Sequence, residues 1–282
     1  MKQADVESIE IQLFLDALRL RHGYDFRDYA RSSLKRRLRA LTADQGFRSL
    51  SELLPRLLHD GTFLPEIIAS LSVPVTEMFR DPEVFRSLRV HAPPLLRSYG
   101  YTNIWQAGCA TGEEVYSLAI LLKEENLYGR AQIYATDING VALAKAEEAV
   151  FPIAPMKAYS ENYTKSGGLS SLSDYYIAKY HFAKMDDSLK ENILFTHHNL
   201  AMDGPFCEMH LILCRNVLIY FNRTLQNRVL RLFRDSLARG GILCLGAKET
   251  LEFSDVADDF VAIDLPHRIF RRKSGPPAVP PP

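Results

Sequence analysis

The chain lacks the features that mark several large classes of protein. Only four of its 282 residues are cysteine, and Cys109, Cys207, Cys214 and Cys244 show no Cys-x-x-Cys spacing. Cys214 and Cys244 lie inside apolar runs, so the four read as reduced, small hydrophobic side chains, with neither a zinc site nor a disulfide framework. No apolar run approaches the roughly 20 residues that cross a bilayer. The opening, MKQADVESIEIQLFL, has no basic-apolar-small order of a signal peptide. The expectation is a cytoplasmic protein without membrane insertion and without metal. Net charge is missing too: 34 Lys and Arg balance 34 Asp and Glu, so no global field points to nucleic acid. No internal repeat is found. What is present is ordinary globular composition, 47% hydrophobic and 24% charged, in a chain long enough for one large domain or two smaller ones.

The apolar patterns divide the chain. Residues 1–75 read as a small helical domain: VESIEIQLFLDALRLRHG stops at Gly23, FRDYARSSLKRRLRALTADQG follows, and SLSELLPRLLHDG adds a third helix closed by Gly61. From about 103 strand and helix alternate, as NIWQAG, GEEVYSLAILLKEENL, AQIYATDI and NGVALAKAEEAV, the last capped by Asn139. That order implies a parallel sheet with crossover helices over 76–282. Residues 151–196 break it with prolines, a Gly-Gly pair and tyrosine-rich stretches, and read as an inserted, hairpin-bearing β subdomain. HLILCRNVLIY then gives a strand, NRTLQNRVLRLFRDSLARGG a helix ended by Gly240-Gly241, ILCLGA a strand and FVAIDLPHRIFRRK a hairpin. The proline-rich end, 274–282, reads as disordered.

The seam QAGCATGEEVYS occupies the place of a phosphate-binding turn yet keeps only Gly108 and Gly112 and opens its helix with Glu113 and Glu114. Acids suit a helix N-terminus, which is the plain reading. They also repel a diphosphate and suit a cationic adenosine ligand such as S-adenosylmethionine, and they disfavour a nicotinamide dehydrogenase. Asp137 ends the next strand, where a carboxylate accepts from ribose hydroxyls or caps the following helix. Arg215 and Asn216, in CRNVLIYF, interrupt an apolar stretch and would be costly to bury unpaired, with Tyr220 nearby; a purely structural arginine is the alternative. Thr76 and Arg80, four apart in VPVTEMFRDPEVF, would share a helical face in a lid or in a simple linker. Last, ARSSLKRRLRA carries Arg31, Lys35, Arg36, Arg37 and Arg39 without an acid, which suggests phosphates or an acidic helix as partner, or a solvated face.

Together YARSSLKRRLR, TEMFRD, GCATGEEVYS, ATDI, HNL and CRNVLIYF resemble the CheR family of chemotaxis receptor methyltransferases over nearly the whole chain. The resemblance implies an α/β fold: a class I, Rossmann-like S-adenosylmethionine-dependent methyltransferase domain with an N-terminal helical domain and a small inserted β subdomain. It implies methyl esterification of glutamate side chains on the cytoplasmic helical bundle of receptors by a monomer. Its cofactor contacts fall on Thr76, Arg80, Gly108, the Glu113–Glu114 pair with Glu113 favoured for the ammonium, Asp137, Asn199, Leu200, Arg215 and Asn216. Arg80 and Tyr220 match positions beside methyl transfer, and Arg31, Lys35, Arg36 and Arg39 the receptor-docking helix. The insertion offers edge strands to a receptor C-terminal peptide. Two positions depart from the family pattern: Pro74 where asparagine is common, and FCEMHLIL, where Glu208 or His210 takes the place of an aspartate. Two alternatives stay open, a regulatory protein that binds the cofactor or its demethylated product, and a methyltransferase for another signalling protein.

Overall fold

Leucine and phenylalanine at helical spacing give the first four helices one buried face each. These are α1 (Gln3–His22), α2 (Arg31–Asp44), α3 (Leu54–His59) and α4 (Leu64–Leu71), closed around Phe14, Leu18, Leu34, Leu38, Leu57 and Ile67. In place of one third helix, a 3-10 turn at Leu50–Leu53 runs into α3, and α4 follows as a separate helix. The computed structural model describes residues 3–275, so the proline-rich end from 276 onward lies outside the described residues. Residues 72–81 are not helical, and they lead into α5 (Pro82–Leu96), an element absent from the sequence reading.

The alternation from 103 onward builds the sheet. β1 (Thr102–Ala107), α6 (Glu113–Glu124), β2 (Ala131–Asp137) and α7 (Gly140–Glu148) come first. An excursion of β3 (Val150–Pro152), α8 (Met156–Lys165), β4 (Tyr176–Lys179) and β5 (Phe182–Met185) follows. The chain then returns as β6 (Ile193–His197), β7 (Met209–Cys214), α9 (Arg223–Ser236), β8 (Leu237–Leu245), β9 (Phe260–Asp264) and β10 (Ile269–Arg272). The main sheet runs β6-β2-β1-β7-β8-β10-β9, parallel except for β10, which is antiparallel to both neighbours. Strand order reverses between β1 and β7, and a crevice at their carboxyl ends is where an open α/β sheet takes its ligand.

Three expectations change. β6 pairs in parallel with β2, so the excursion from the main sheet ends before Ile193 and not at 196. Its three strands, in the order β3-β5-β4, form the expected small sheet, but the hairpin turns at Tyr180–His181 and a helix, α8, precedes it. The Gly240-Gly241 pair does not end the long helix. α9 stops at Ser236, and the pair sits within β8, where the register against β7 jumps from Met209↔Leu237 to Leu211↔Ile242 and a bulge absorbs the extra residues.

Candidate active site

The turn after β1 is shaped by its neighbours. A Cβ added to Gly108 (φ 73°) would lie 2.4 Å from Val217 Cγ2, so this glycine lets the first turn close against the loop after β7 across the sheet reversal. Gly112 does something different: its missing Cβ, 2.8 Å from that of Ala146, admits α7 and leaves the cleft untouched. Asp137 ties the turn to its own strand, accepting from the backbone N–H of Ala110 (2.9 Å) and of Asn139 (2.8 Å). The helix cap is Asn139, which accepts from Val141 and Ala142 N–H, so Asp137 remains a cleft wall. Burial pushes its carboxyl above the usual range, and the N–H bonds oppose that shift.

The two adjacent glutamates part company. Glu113 accepts from its own turn, from Thr111 Oγ1 at 2.7 Å, and is not on the cleft. Burial raises its pKa. Glu114 lines the cleft, accepts from Gln106 Nε2 at 2.8 Å, and pairs with Arg215, whose other nitrogen reaches Asp81 at 2.7 Å. Arg215 is fully buried, which works against its charge, yet Glu114 and Asp81 outweigh the burial and raise its pKa. This triad of two acids and one arginine carries a net charge of minus one beside the cleft. Of the two acids, Glu114 lines the cleft, and Glu113, the one favoured in the sequence for an ammonium, does not.

A fifth carboxylate, missed in the sequence, holds the loop of the other wall. Glu249 is buried and accepts from the N–H groups of Gly246, Asn216 and Val217, at 2.6, 3.1 and 2.8 Å, holding Asn216 at a φ of 61°. It fixes the loop that presents Arg215, Asn216 and Tyr220. Its only sequence signal is an acid just past an apolar strand.

The helical domain supplies the roof. A bridge between Tyr29 and Phe221, with Ala30 N–H donating to the Tyr220 carbonyl at 2.8 Å, fastens the start of α2 to the Tyr220 loop. Thr76 and Arg80 both line the cleft, but from an irregular strap and not one helical face: Phe79 and Asp81 have φ of 51° and 53°. The Phe79 N–H donates to Ser117 Oγ, and its buried ring packs on Phe85 and Tyr163, which pins Arg80 at the cleft. Arg80 has no hydrogen-bonding or ion-pair partner among the described residues.

Some expected residues stand elsewhere. Leu200 lines the cleft, but the Asn199 side chain accepts from Ala201 N–H in a local turn; its neighbour His198, missed in the sequence, lines the cleft instead. Pro74 is exposed between lining residues Val73 and Val75. Glu208 and His210 lie at the opposite, amino-terminal end of β7, engaged with Asn103, away from the cleft. The basic helix is less uniform than its sequence: Lys35 and Arg39 both pair with Glu7 of α1, Arg37 turns into the cleft, and Arg31 and Arg36 stay exposed.

Two family descriptions cover the chain, the CheR methyltransferase SAM binding domain over residues 74–269 and the CheR methyltransferase all-alpha domain over residues 9–72. The chain belongs to the CheR methyltransferase family. The methyltransferase-named protein Cher3 of Pseudomonas putida is 46% identical over 94% of this chain and 97% of its own. Proteins named chemotaxis protein methyltransferase are 31% identical in Salmonella typhimurium, over 83% of this chain and 79% of theirs, and 29% in Listeria innocua, over 81% and 85%. The sheet with its helical roof and small antiparallel sheet is accordingly the class I methyltransferase fold of a CheR chain. Among the described residues no helix is long and apolar enough to cross a membrane, and no cluster of His, Cys, Asp or Glu is arranged to hold a metal.

The residues fit the cofactor of that family. The cleft is open on one side and is walled by both the sheet edge and the helical roof. Its wall holds buried polar atoms without protein partners, Gln106 Oε1, His198 Nδ1, Arg215 Nε and Asn216 Oδ1, which a polar ligand would satisfy. Beside them stand the carboxylates of Glu114 and Asp137 and the guanidinium groups of Arg37, Arg80 and Arg215, so the wall offers acceptors to a cation and donors to an anion.

Proposed function

We propose that this CheR chain transfers the methyl group of S-adenosylmethionine to glutamate side chains on the cytoplasmic helical bundle of chemotaxis receptors, forming carboxyl methyl esters that tune adaptation. One observation carries the reading: a single cleft combines the anionic Glu114 triad and Asp137 with an arginine, Arg80, that has no acid of its own. The first pair suits a cationic nucleoside and the second an anionic acceptor. The relatives named chemotaxis protein methyltransferases support the same acceptor class.

Bound S-adenosylmethionine supplies a methyl group on a sulfonium. Thr76, Glu114, Asp137, Leu200 and Asn216 would hold it, with Glu114 toward the ammonium and Asp137 toward the ribose. A glutamate has an ordinary pKa near 4.3, so its carboxylate is a nucleophile at neutral pH and no general base is required. The chain's own task would be to bring one carboxylate oxygen of the acceptor to that methyl group, whose transfer would leave an ester and S-adenosylhomocysteine. Binding the carboxylate more tightly than the transition state would slow this step, because its charge is dispersed there. The work of Arg80 and Tyr220 is therefore to aim the oxygen, and orientation of that kind can supply about 7–11 kcal/mol of a barrier.

On the surface, the exposed Arg31 and Arg36 offer charge to an acidic receptor helix, and Lys35 and Arg39 join them by releasing Glu7. β4 is an edge strand with Ile177 exposed at 70%, followed by a turn with Tyr180 exposed at 87%, which suits a receptor tail peptide added as a further strand. The chain would act as a cytoplasmic monomer. The test is transfer of tritiated methyl groups to receptor signalling domains of the same organism, with and without their tails. Base-labile label on glutamates is expected. Binding of the cofactor with no transfer to any receptor would replace this reading with a sensor or adaptor.

A further inference from the structure

The five basic residues of α2 look alike in sequence, yet one is built differently from the rest. Arg37 lies three residues after Leu34 and one before Leu38, on the buried side of the helix, and its guanidinium enters the cleft. There it sits 5.0 Å from the centre of the Tyr220 ring, and its Nη1 donates to the Leu71 carbonyl. Its Nη2 is buried with no partner among the described residues. No acid pairs with it. Glu7 is taken by Lys35 and Arg39, Glu114 by Arg215 and Gln106, and Asp137 by two backbone N–H groups.

An unpaired cation at a half-buried position is costly, and arginine does not escape by losing its proton. Such a group is stabilised when an anion arrives, and a planar carboxylate matches its fork of donors best. We infer that Arg37, lent by the helical domain, binds the acceptor carboxylate over Tyr220 and makes the site select a carboxylate over its amide. The inference rests on the proposed reading, in which the acceptor is a glutamate. The carboxylate of the cofactor's amino-acid end is the other possible source. The position of Arg37 favours the acceptor: it belongs to the roof and stacks on Tyr220, whereas the groups suited to an ammonium are gathered at Glu114 on the sheet edge. The Tyr29–Phe221 bridge and the Ala30–Tyr220 hydrogen bond hold the roof and the Tyr220 loop together, so Arg37 and Tyr220 stand on joined segments.

The test uses the full chain and its Arg37→Gln and Arg37→Lys variants. Against a receptor fragment that the unaltered protein methylates, Arg37→Gln should raise the acceptor KM about ten- to hundredfold, the range for losing a charged hydrogen bond, with kcat and S-adenosylhomocysteine affinity within about threefold. Arg37→Lys should recover part of the loss. A matching fall in S-adenosylhomocysteine affinity would overturn the assignment and give Arg37 to the cofactor. Unchanged kinetics would remove it altogether. A second measurement needs no receptor. In protein labelled at arginine side chains and saturated with S-adenosylhomocysteine, the Arg37 resonance, identified by its loss in Arg37→Lys, should shift with N-acetylglutamate α-amide and not with N-acetylglutamine amide. No shift, or equal shifts, sinks the inference. Failure of the receptor reading shows separately, as absence of ester formation by the unaltered protein.

Discussion

Arg215 and Arg80 border the same cleft from opposite sides and are built into the fold in contrary ways. Arg215 is fully buried, clamped between Glu114 and Asp81 at the sheet edge. Arg80 projects from the strap under the helical roof and has no acid partner among the described residues. The same division runs through their surroundings. Carboxylates of the floor are already positioned by neighbouring donors and keep lone pairs for a ligand, whereas cations of the roof, Arg80 and Arg37, keep donors to spare. A floor settled at folding can present fixed partial charges to a cofactor without reorganising. A roof with unspent positive charge is ready for an anion that arrives later, from another protein.

The sharpest way to break this comparison is to remove each arginine in turn. Arg215→Ala strands two carboxylates, one of them buried, and should lower stability by about 3–5 kcal/mol in chemical denaturation. Arg80→Ala should stay within about 0.5 kcal/mol of the unaltered protein while turnover falls on the order of a hundredfold. Equal losses of stability would erase the distinction. Next in size, Glu249→Ala leaves the Asn216 and Val217 N–H groups unsatisfied, for about 1–3 kcal/mol. Cofactor affinity should fall with it, because the loop that presents Asn216 loosens. Tyr220→Phe should reduce turnover roughly tenfold with S-adenosylhomocysteine affinity unchanged, and an unchanged turnover would strip Tyr220 of its role.

Asp137 gives a test by pH. Burial raises its folded pKa above the ordinary value, so in the empty protein Asp137 takes up its proton at a higher pH than a free aspartate. Its contribution to stability is full below the unfolded pKa and is lost as pH rises through the folded one. Ribose hydroxyls donate to the ionised form, so affinity should drop as pH falls through that raised pKa, and binding there should release protons. Calorimetry of S-adenosylhomocysteine in buffers of different ionisation heat would read the release, and Asp137→Asn should abolish it. The smallest effect is expected at Glu7→Gln. Melting temperature should not move, but Lys35 and Arg39 lose their internal partner, so docking of an acidic receptor helix should tighten and become more sensitive to salt.

The parts of this molecule legible in its sequence are those governed by local rules. Helical leucines, the Asn139 cap and the strand–helix alternation depend on neighbours a few residues away, and Asp137, Arg215 and Tyr220 stand at element ends that the alternation marks. What escaped depends on distant partners. Glu249 matters because backbone N–H groups about 30 positions earlier converge on it, and nothing near it in the chain announces that. Glu113 and Glu114 differ only in the direction each takes from the first turn of α6, which Thr111 and Arg215 decide. Helix α8 is rich in tyrosine and polar residues, and its burial against the body of the domain, through Tyr159 and Tyr163, carries it more than its own pattern. Arg37 was hidden as well: by helical phase Arg31 lies nearer Leu34 and Leu38, and what draws Arg37 into the cleft is the distant Leu71 carbonyl and Tyr220 ring.

The contact of Gly108 with Val217 has a consequence for how such a chain can change over generations. With a valine methyl at 2.4 Å from where a Cβ would stand, residues 108 and 217 behave as one heritable unit although they lie on separate loops. A lineage that replaced the glycine would need a smaller residue at 217 to survive, and that second change would relieve the collision but not the backbone strain of a positive φ. In a selection for suppressors of Gly108→Ala, partial revertants should therefore gather at Val217.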